Sequence, residues 1–234
     1  MGEPGEDRKL AERYVPHVRF DRAEPFDIQG VGYTVYTAGP ASGAAVQSVS
    51  SKLRIQMEPG ESVIEYAFYY DFDIQHLYDL EHVFVKIDSE GRIVGVLGSF
   101  HGKFLNNLLE GETEWEGTHA ILYVQPGKHA FMPAPHYFRL FPDRDKCCGE
   151  YAGQDGLLAA PMFEGRIFTE EAFDRQAEHY IKKKYAFVPA WEFSEEYPRL
   201  SKAEDLLMPW KELEELIVRR ITEWKRRILK EKSS

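Results

Sequence analysis

Between two strongly apolar stretches lies Asp71-Phe-Asp-Ile-Gln-His-Leu-Tyr-Asp-Leu-Glu-His82, a segment dense in groups that hold protons or metal ions. Side chains alternate along a strand, so Glu81 shares a face with Val83, Val85 and Ile87, and Asp79 joins it where the strand extends backwards. A carboxylate on an apolar face is costly unless a cation, an arginine or a proton accompanies it. Two carboxylates aimed at one spot repel, which raises a pKa unless positive charge intervenes. A divalent cation answers that repulsion and accepts a neutral imidazole, here His76, beside the acids. Mixed oxygen and nitrogen donors point to zinc, manganese, iron, magnesium or calcium, not to a thiolate metal. Two further histidines close neighbouring strands: His101 in Ser99-Phe-His-Gly102 and His129 in Gly127-Lys-His-Ala130. Glycine beside each lets backbone or ligand approach closely. The expected metal set is therefore His76, Asp79, Glu81, His101 and His129, gathered from three strand ends at one rim. The plainer alternative has the histidines capping turns and Glu81 pairing with Arg92 or Lys103.

The elements that must position these residues are mostly strands. Runs at Val31–Thr37, Val46–Ile55, Ser62–Asp71, Glu81–Ile87, Arg92–Phe100 and Thr118–Gln125 follow one another without intervening helices. That order predicts an antiparallel β-sandwich, not alternating β-α-β units. The 15 Phe, 13 Tyr and 4 Trp suit a pleated, half-buried surface. A short helix is expected over Asp7–Tyr14, and a second starting with Thr169 as N-cap and running to about Lys184. The last helix, about Pro209–Lys230, carries Trp210, Leu213, Ile217, Ile221, Trp224 and Ile228 at spacings of three and four, one apolar stripe that must pack on something. The reading is a mainly β, single-domain chain. Its sandwich core covers about residues 14–165, and a helical C-terminal addition covers about 166–232.

A net charge of −10 over 234 residues argues against nucleic acid as a partner. The charged opening MGEPGEDRKL lacks the apolar stretch of a signal peptide, and no run is long enough for a membrane span. Two adjacent cysteines, Cys147 and Cys148, make no ordinary disulfide framework, so a cytoplasmic location is expected. As a pair they offer a soft-metal site, a strained eight-membered disulfide ring, or plain packing beside a glycine-rich loop.

Four segments in order, LAERYVPHVRFDRAEPF, DIQHLYDLEHVFV, SFHGK and ILYVQPGKHAFMP, resemble a β-sandwich superfamily over roughly residues 10–135. That superfamily includes vacuolar-protein-sorting-associated proteins and the necrosis- and ethylene-inducing peptide-like cytolysins. The cytolysins carry a Gly-His-Arg-His-Asp-Trp-Glu heptapeptide whose first His, Asp and Glu help to hold a divalent cation. The resemblance places His76, Asp79 and Glu81 at those three positions. It matches His101 to the family's Ser-His-Gly segment and Gly127–Ala130 to its Gly-Ser-His-Ala segment, with Lys128 for the serine. The family's upstream aspartate would correspond to Asp71 or Asp73. The heptapeptide's central Arg and His are missing here, as is the cytolysins' cysteine spacing, so the resemblance does not extend to a toxin role.

These observations lead to one expectation and two competitors. The expectation is a divalent-metal-binding β-sandwich protein that takes an anionic or sugar-like small molecule, such as a glycan or lipid head group, through the metal. The first competitor is a metal-dependent hydrolase with His101 or His129 as general acid/base. The second is a metal-free interaction protein.

Overall fold

The apolar run Ser62–Phe72 is buried along nearly its whole length, and the fold is built around it. The computed structural model describes residues 4–158, 160–194 and 202–231. In chain order the elements are α1 (Pro4–Tyr14), β1 (His17–Asp21), β2 (Ile28–Thr37), β3 (Ala44–Gln47), β4 (Arg54–Met57), β5 (Ser62–Phe72), β6 (His76–Ile87), β7 (Ile93–Phe100), β8 (Lys103–Asn106), β9 (Glu114–Glu116), β10 (His119–Val124), β11 (Phe131–Met132), β12 (Gly156–Leu157), α2 (Glu171–Tyr185), β13 (Phe193–Ser194), β14 (Leu207–Pro209) and α3 (Trp210–Glu231). One sheet runs β14-β2-β5-β6-β7-β8, with β12 beside β6. A second runs β11-β10-β1-β13, with β9 beside β10, and β3 pairs β4 separately.

The two sheets enclose one apolar layer. Ile64, Tyr66, Phe68, Val83 and Val85 from the larger sheet meet Phe20, Leu122, Val124 and Phe131 from the smaller. Helix α1 closes one end, where the Tyr66 hydroxyl donates to the Ala11 carbonyl at 2.8 Å. On the other face of β5, Ala67 and Tyr69 belong to a second core with Phe173, Ala177 and Ile181 of α2 and Leu213, Ile217 and Ile221 of α3. The molecule is mainly β with a helical layer, as its sequence predicts. Burial on both faces explains why β5 reads as a nearly continuous apolar run without polar alternation.

Three details depart from the expectation. The sheets are mixed: β1–β10, β12–β6 and β14–β2 are parallel pairs. Hairpin signals reveal antiparallel neighbours in sequence, whereas these partners meet only through long crossovers. The run Val46–Ile55 is not one strand. It folds into the β3–β4 hairpin because its serines serve a buried acid: Ser48 Oγ donates to Glu65 at 2.5 Å, Ser50 Oγ donates to the same oxygen, and the Tyr36 hydroxyl donates at 2.6 Å. Helix α2 begins at Glu171 with Glu170 at the N-cap position. Thr169 donates to the Asp174 carboxylate and does not cap the helix. Among the described residues no helix is long and apolar enough to cross a membrane.

Candidate metal centre and adjoining pocket

Pairing between β5 and β6 aligns Ile64 with Val85, Tyr66 with Val83, Phe68 with Glu81 and Tyr70 with Asp79. Opposed residues share a face, so the inner surface passes from aliphatic to acidic within four residues. Glu81 thus lies on the Val83–Val85 face, as alternation predicts.

A tight turn carries the chain from β5 to β6. Asp73 N donates to the His76 carbonyl at 3.0 Å, and the Asp73 carboxylate accepts Gln75 N at 2.6 Å. Ile74 N donates to the Gly127 carbonyl at 2.7 Å, tying this turn to the loop that bears Lys128 and His129. Tyr78, His101 and His129 all adopt left-handed backbone (φ 52°, 47° and 54°). Such conformations cost non-glycine residues of order 1–3 kcal/mol each and tend to collect at functional sites.

Asp73, His76 and Asp79 each present a ligand atom within 4.8 Å of the others. Nδ1–H of His76 donates to the Tyr78 carbonyl at 2.8 Å, which orients the ring and leaves Nε2 as its free position. Outer hydrogen bonds of this kind are how metal-binding imidazoles are fixed. Nε2 lies 3.8 Å from Asp73 Oδ2. Asp73 is 2% exposed and accepts the Lys128 ammonium at 2.8 and 2.6 Å. Burial opposes its charge, but His76 and Lys128 hold the carboxyl below its usual range. Two carboxylates and one free imidazole nitrogen fit a divalent cation by donor type.

The remaining expected ligands surround this group without belonging to it. His129 is fully buried; its Nδ1–H donates to Asp79 at 2.9 Å, its Nε2 lies 3.6 Å from Glu24, and its ring stacks on Tyr70 at 3.8 Å. Burial disfavours the charged ring, yet Asp79 and Glu24 outweigh it and push its pKa up to about 10. Glu81 accepts the Ser99 hydroxyl, and burial, then Asp79, drives its carboxyl well above the usual range. Arg92 pairs with Asp88 and Glu90. His101 bonds Gln125 Oε1 through Nε2 at 2.9 Å, and burial lowers its pKa. Of the two upstream aspartates, Asp73 joins the group. Asp71 accepts Arg220 of α3 at 2.6 and 2.5 Å on the opposite face.

Sequence reasoning left Lys128 and Glu24 without roles. Glu24 accepts Gly127 N at 2.7 Å and so holds the histidine loop in place. Both lie in quoted segments of the resemblance, but no periodicity marks either. The Tyr70 hydroxyl is buried without a hydrogen-bond partner among the described residues. Asp79, Glu24 and Glu81 all act on it electrostatically. Beside the group opens a pocket of about 340 Å³, whose walls include Gln75, His101, Gln125, Lys128 and Arg144.

No protein-family model matches the chain, and no curated protein matches it. Among solved structures the chain is similar to necrosis and ethylene inducing protein 2 from the causal agent of cocoa's witches' broom disease. Identity is 18% over 70% of this chain and 89% of that one, with a TM-score of 0.35. It is also similar to NLPPya in complex with glucosamine, at 18% identity over 56% of this chain and 68% of that one, TM-score 0.36. NLPPya in complex with mannosamine gives 19% over the same shares, TM-score 0.36.

Proposed function

We propose that the protein binds a divalent cation through Asp73, His76 and Asp79, and through it an anionic, hydroxyl-bearing small molecule in the adjoining pocket. The observation that carries this reading is the grouping of those three donors within 4.8 Å, beside a pocket that shares Lys128 with them. Lys128 and Arg144 offer charge to an anion, and the Gln75 and Gln125 amides suit hydroxyls. Glu81 and His129 act as supports in this reading, the first beside Ser99 and the second beneath Asp79. Free thiols at both cysteines agree with a cytoplasmic setting.

Calorimetric titration with manganese and with zinc tests the metal directly. Wild type binds one ion per chain, whereas His76→Ala and Asp79→Asn each lose at least about tenfold in affinity. Glucose 6-phosphate, a probe with both features, then raises the melting temperature only with metal present. Equal metal affinity in wild type and both variants overturns the reading. Stability and probe binding indifferent to chelator would favour the metal-free interaction protein.

Hydrolysis is the second reading, and His101 supports it. Its neutral imidazole borders the pocket, where a general base is needed. Release of phosphate from the same probe, lost in His101→Gln with metal affinity kept, would establish it. No turnover in wild type leaves binding alone.

A further inference from the structure

Cys147 and Cys148 are free, and their sulfurs lie 3.4 Å apart. Cys147 lines the pocket beside Lys128, while Cys148 is fully buried with its thiol directed at the Pro126 carbonyl at 3.2 Å. Cys148 presses on the next residue too. A Cβ on Gly127 would lie 3.2 Å from its sulfur, at a position where φ is +67°. The Cys148 carbonyl accepts Phe187 N at 2.8 Å, so the backbone behind the sulfur is anchored while the sulfur supports the 125–129 turn. That turn delivers Lys128 to Asp73 and His129 to Asp79.

We propose that this pair is a reversible oxidation site for a hydroperoxide, and that closing it withdraws support from the turn bearing Lys128 and His129. Cys147 attacks, because it borders the pocket while Cys148 is fully buried with its proton on the Pro126 carbonyl. Its sulfur takes one peroxide oxygen, the O–O bond breaks, and the other oxygen leaves as hydroxide or alkoxide and gains a proton. The resulting sulfenic acid is attacked by the Cys148 sulfur; the S–O bond breaks, and hydroxide leaves with the Cys148 proton as water. In sum, two thiols and one hydroperoxide give a disulfide, water and an alcohol or second water, with two electrons passing from sulfur to oxygen.

Geometry makes this bond a switch and not a staple. Adjacent Cα atoms are about 3.8 Å apart, closer than the roughly 4.4 Å at which ordinary bridges begin. Strained disulfides are the easily reduced, regulatory kind. The sulfurs must also close from 3.4 Å to about 2 Å. Cys148 therefore leaves the Pro126 carbonyl.

The test uses the full chain without added metal, so it stands apart from the metal reading. After mild hydrogen peroxide, alkylation and intact mass should show both thiols lost with no oxygen added, and dithiothreitol should restore them. Amide exchange over residues 125–129 should be faster in the oxidised protein. Cys148→Ser should instead stop at an oxygen adduct on Cys147. Thiols that stay alkylable, oxygen adducts that dithiothreitol does not reverse, or unchanged exchange over 125–129 would each overturn the proposal. Because the decisive comparison is wild type with itself, a poorly folding variant does not blunt it.

Discussion

Asp73 is where the candidate site is contested. The Lys128 ammonium sits 2.6 and 2.8 Å from its oxygens, and an arriving metal ion would need the same lone pairs. Removing the lysine charge separates the two uses. In Lys128→Met an acid that is 2% exposed loses its cation. Breaking a buried pair in this way costs about 3–5 kcal/mol. If a divalent ion occupies Asp73, manganese should restore most of that loss, and should stabilise the variant more than wild type. Urea unfolding of both proteins in chelator and in manganese measures the difference. A variant equally weak in both media would remove Asp73 from the ligand set. The sequence shows Asp79 because alternation and the resemblance mark the same position, and His76 because the resemblance marks it and an imidazole suits a cation beside the acids. It leaves Asp73 and Asp71 as equals, because the turn that follows β5 decides which face each one reaches. Lys128 is visible only as a replacement for serine. It arrives from 55 residues away, through a contact that no local spacing encodes.

Glycines in a central strand weaken it unless something must come close, and β2 has two that face α3. A Cβ at Gly32 would lie 2.7 Å from Leu213 Cδ2 and 3.2 Å from Trp210; one at Gly30 would lie 2.7 Å from Leu213 Cδ1. Leu213 is fully buried in the groove the glycines leave. Gly32→Ala should therefore destabilise by about 1–3 kcal/mol through overpacking. Leu213→Ala alone should cost about 2–5 kcal/mol. Together they should cost less than the sum by about 1 kcal/mol, because the new methyl enters the space the leucine vacates. Strict additivity in denaturant melts would mean that the helix does not seat on these residues. The stripe on α3 is legible from its spacing, since Leu213, Ile217, Ile221 and Ile228 are all buried. Its docking surface is not, because Gly30 and Gly32 in Ile28–Thr37 read locally as weak strand residues. The same limit hides the parallel pairs and the β3–β4 hairpin. In each, a residue far along the chain, such as Glu65 for Ser48 and Ser50, decides what the local sequence becomes.

At the scale of the whole molecule, β5 belongs to two cores at once. Its even-numbered residues Ile64, Tyr66, Phe68 and Tyr70 fill the space between the sheets, and Ala67 and Tyr69 fill the space under the helices. Asp71 adds a bidentate ion pair to Arg220, fastening α3 to the same strand. A helical layer that shares its strand with the sandwich has no separate core to fall back on. Loss of either core strips one face of β5, so the two should unfold in a single transition. Trp210 and Trp224 lie on α3, and in a Trp115→Phe, Trp191→Phe background their fluorescence reports that layer alone. The fluorescence and strand-ellipticity midpoints should then coincide in urea, with Arg220→Met lowering both by the same amount. Were the C-terminal third a detachable addition, the tryptophan signal would be lost first and Arg220→Met would widen the gap. The candidate site follows from the same arrangement. Asp79 and Glu81 are on the inner face of β6 and the helices brace the outer face, so the acids at the rim are held by both cores.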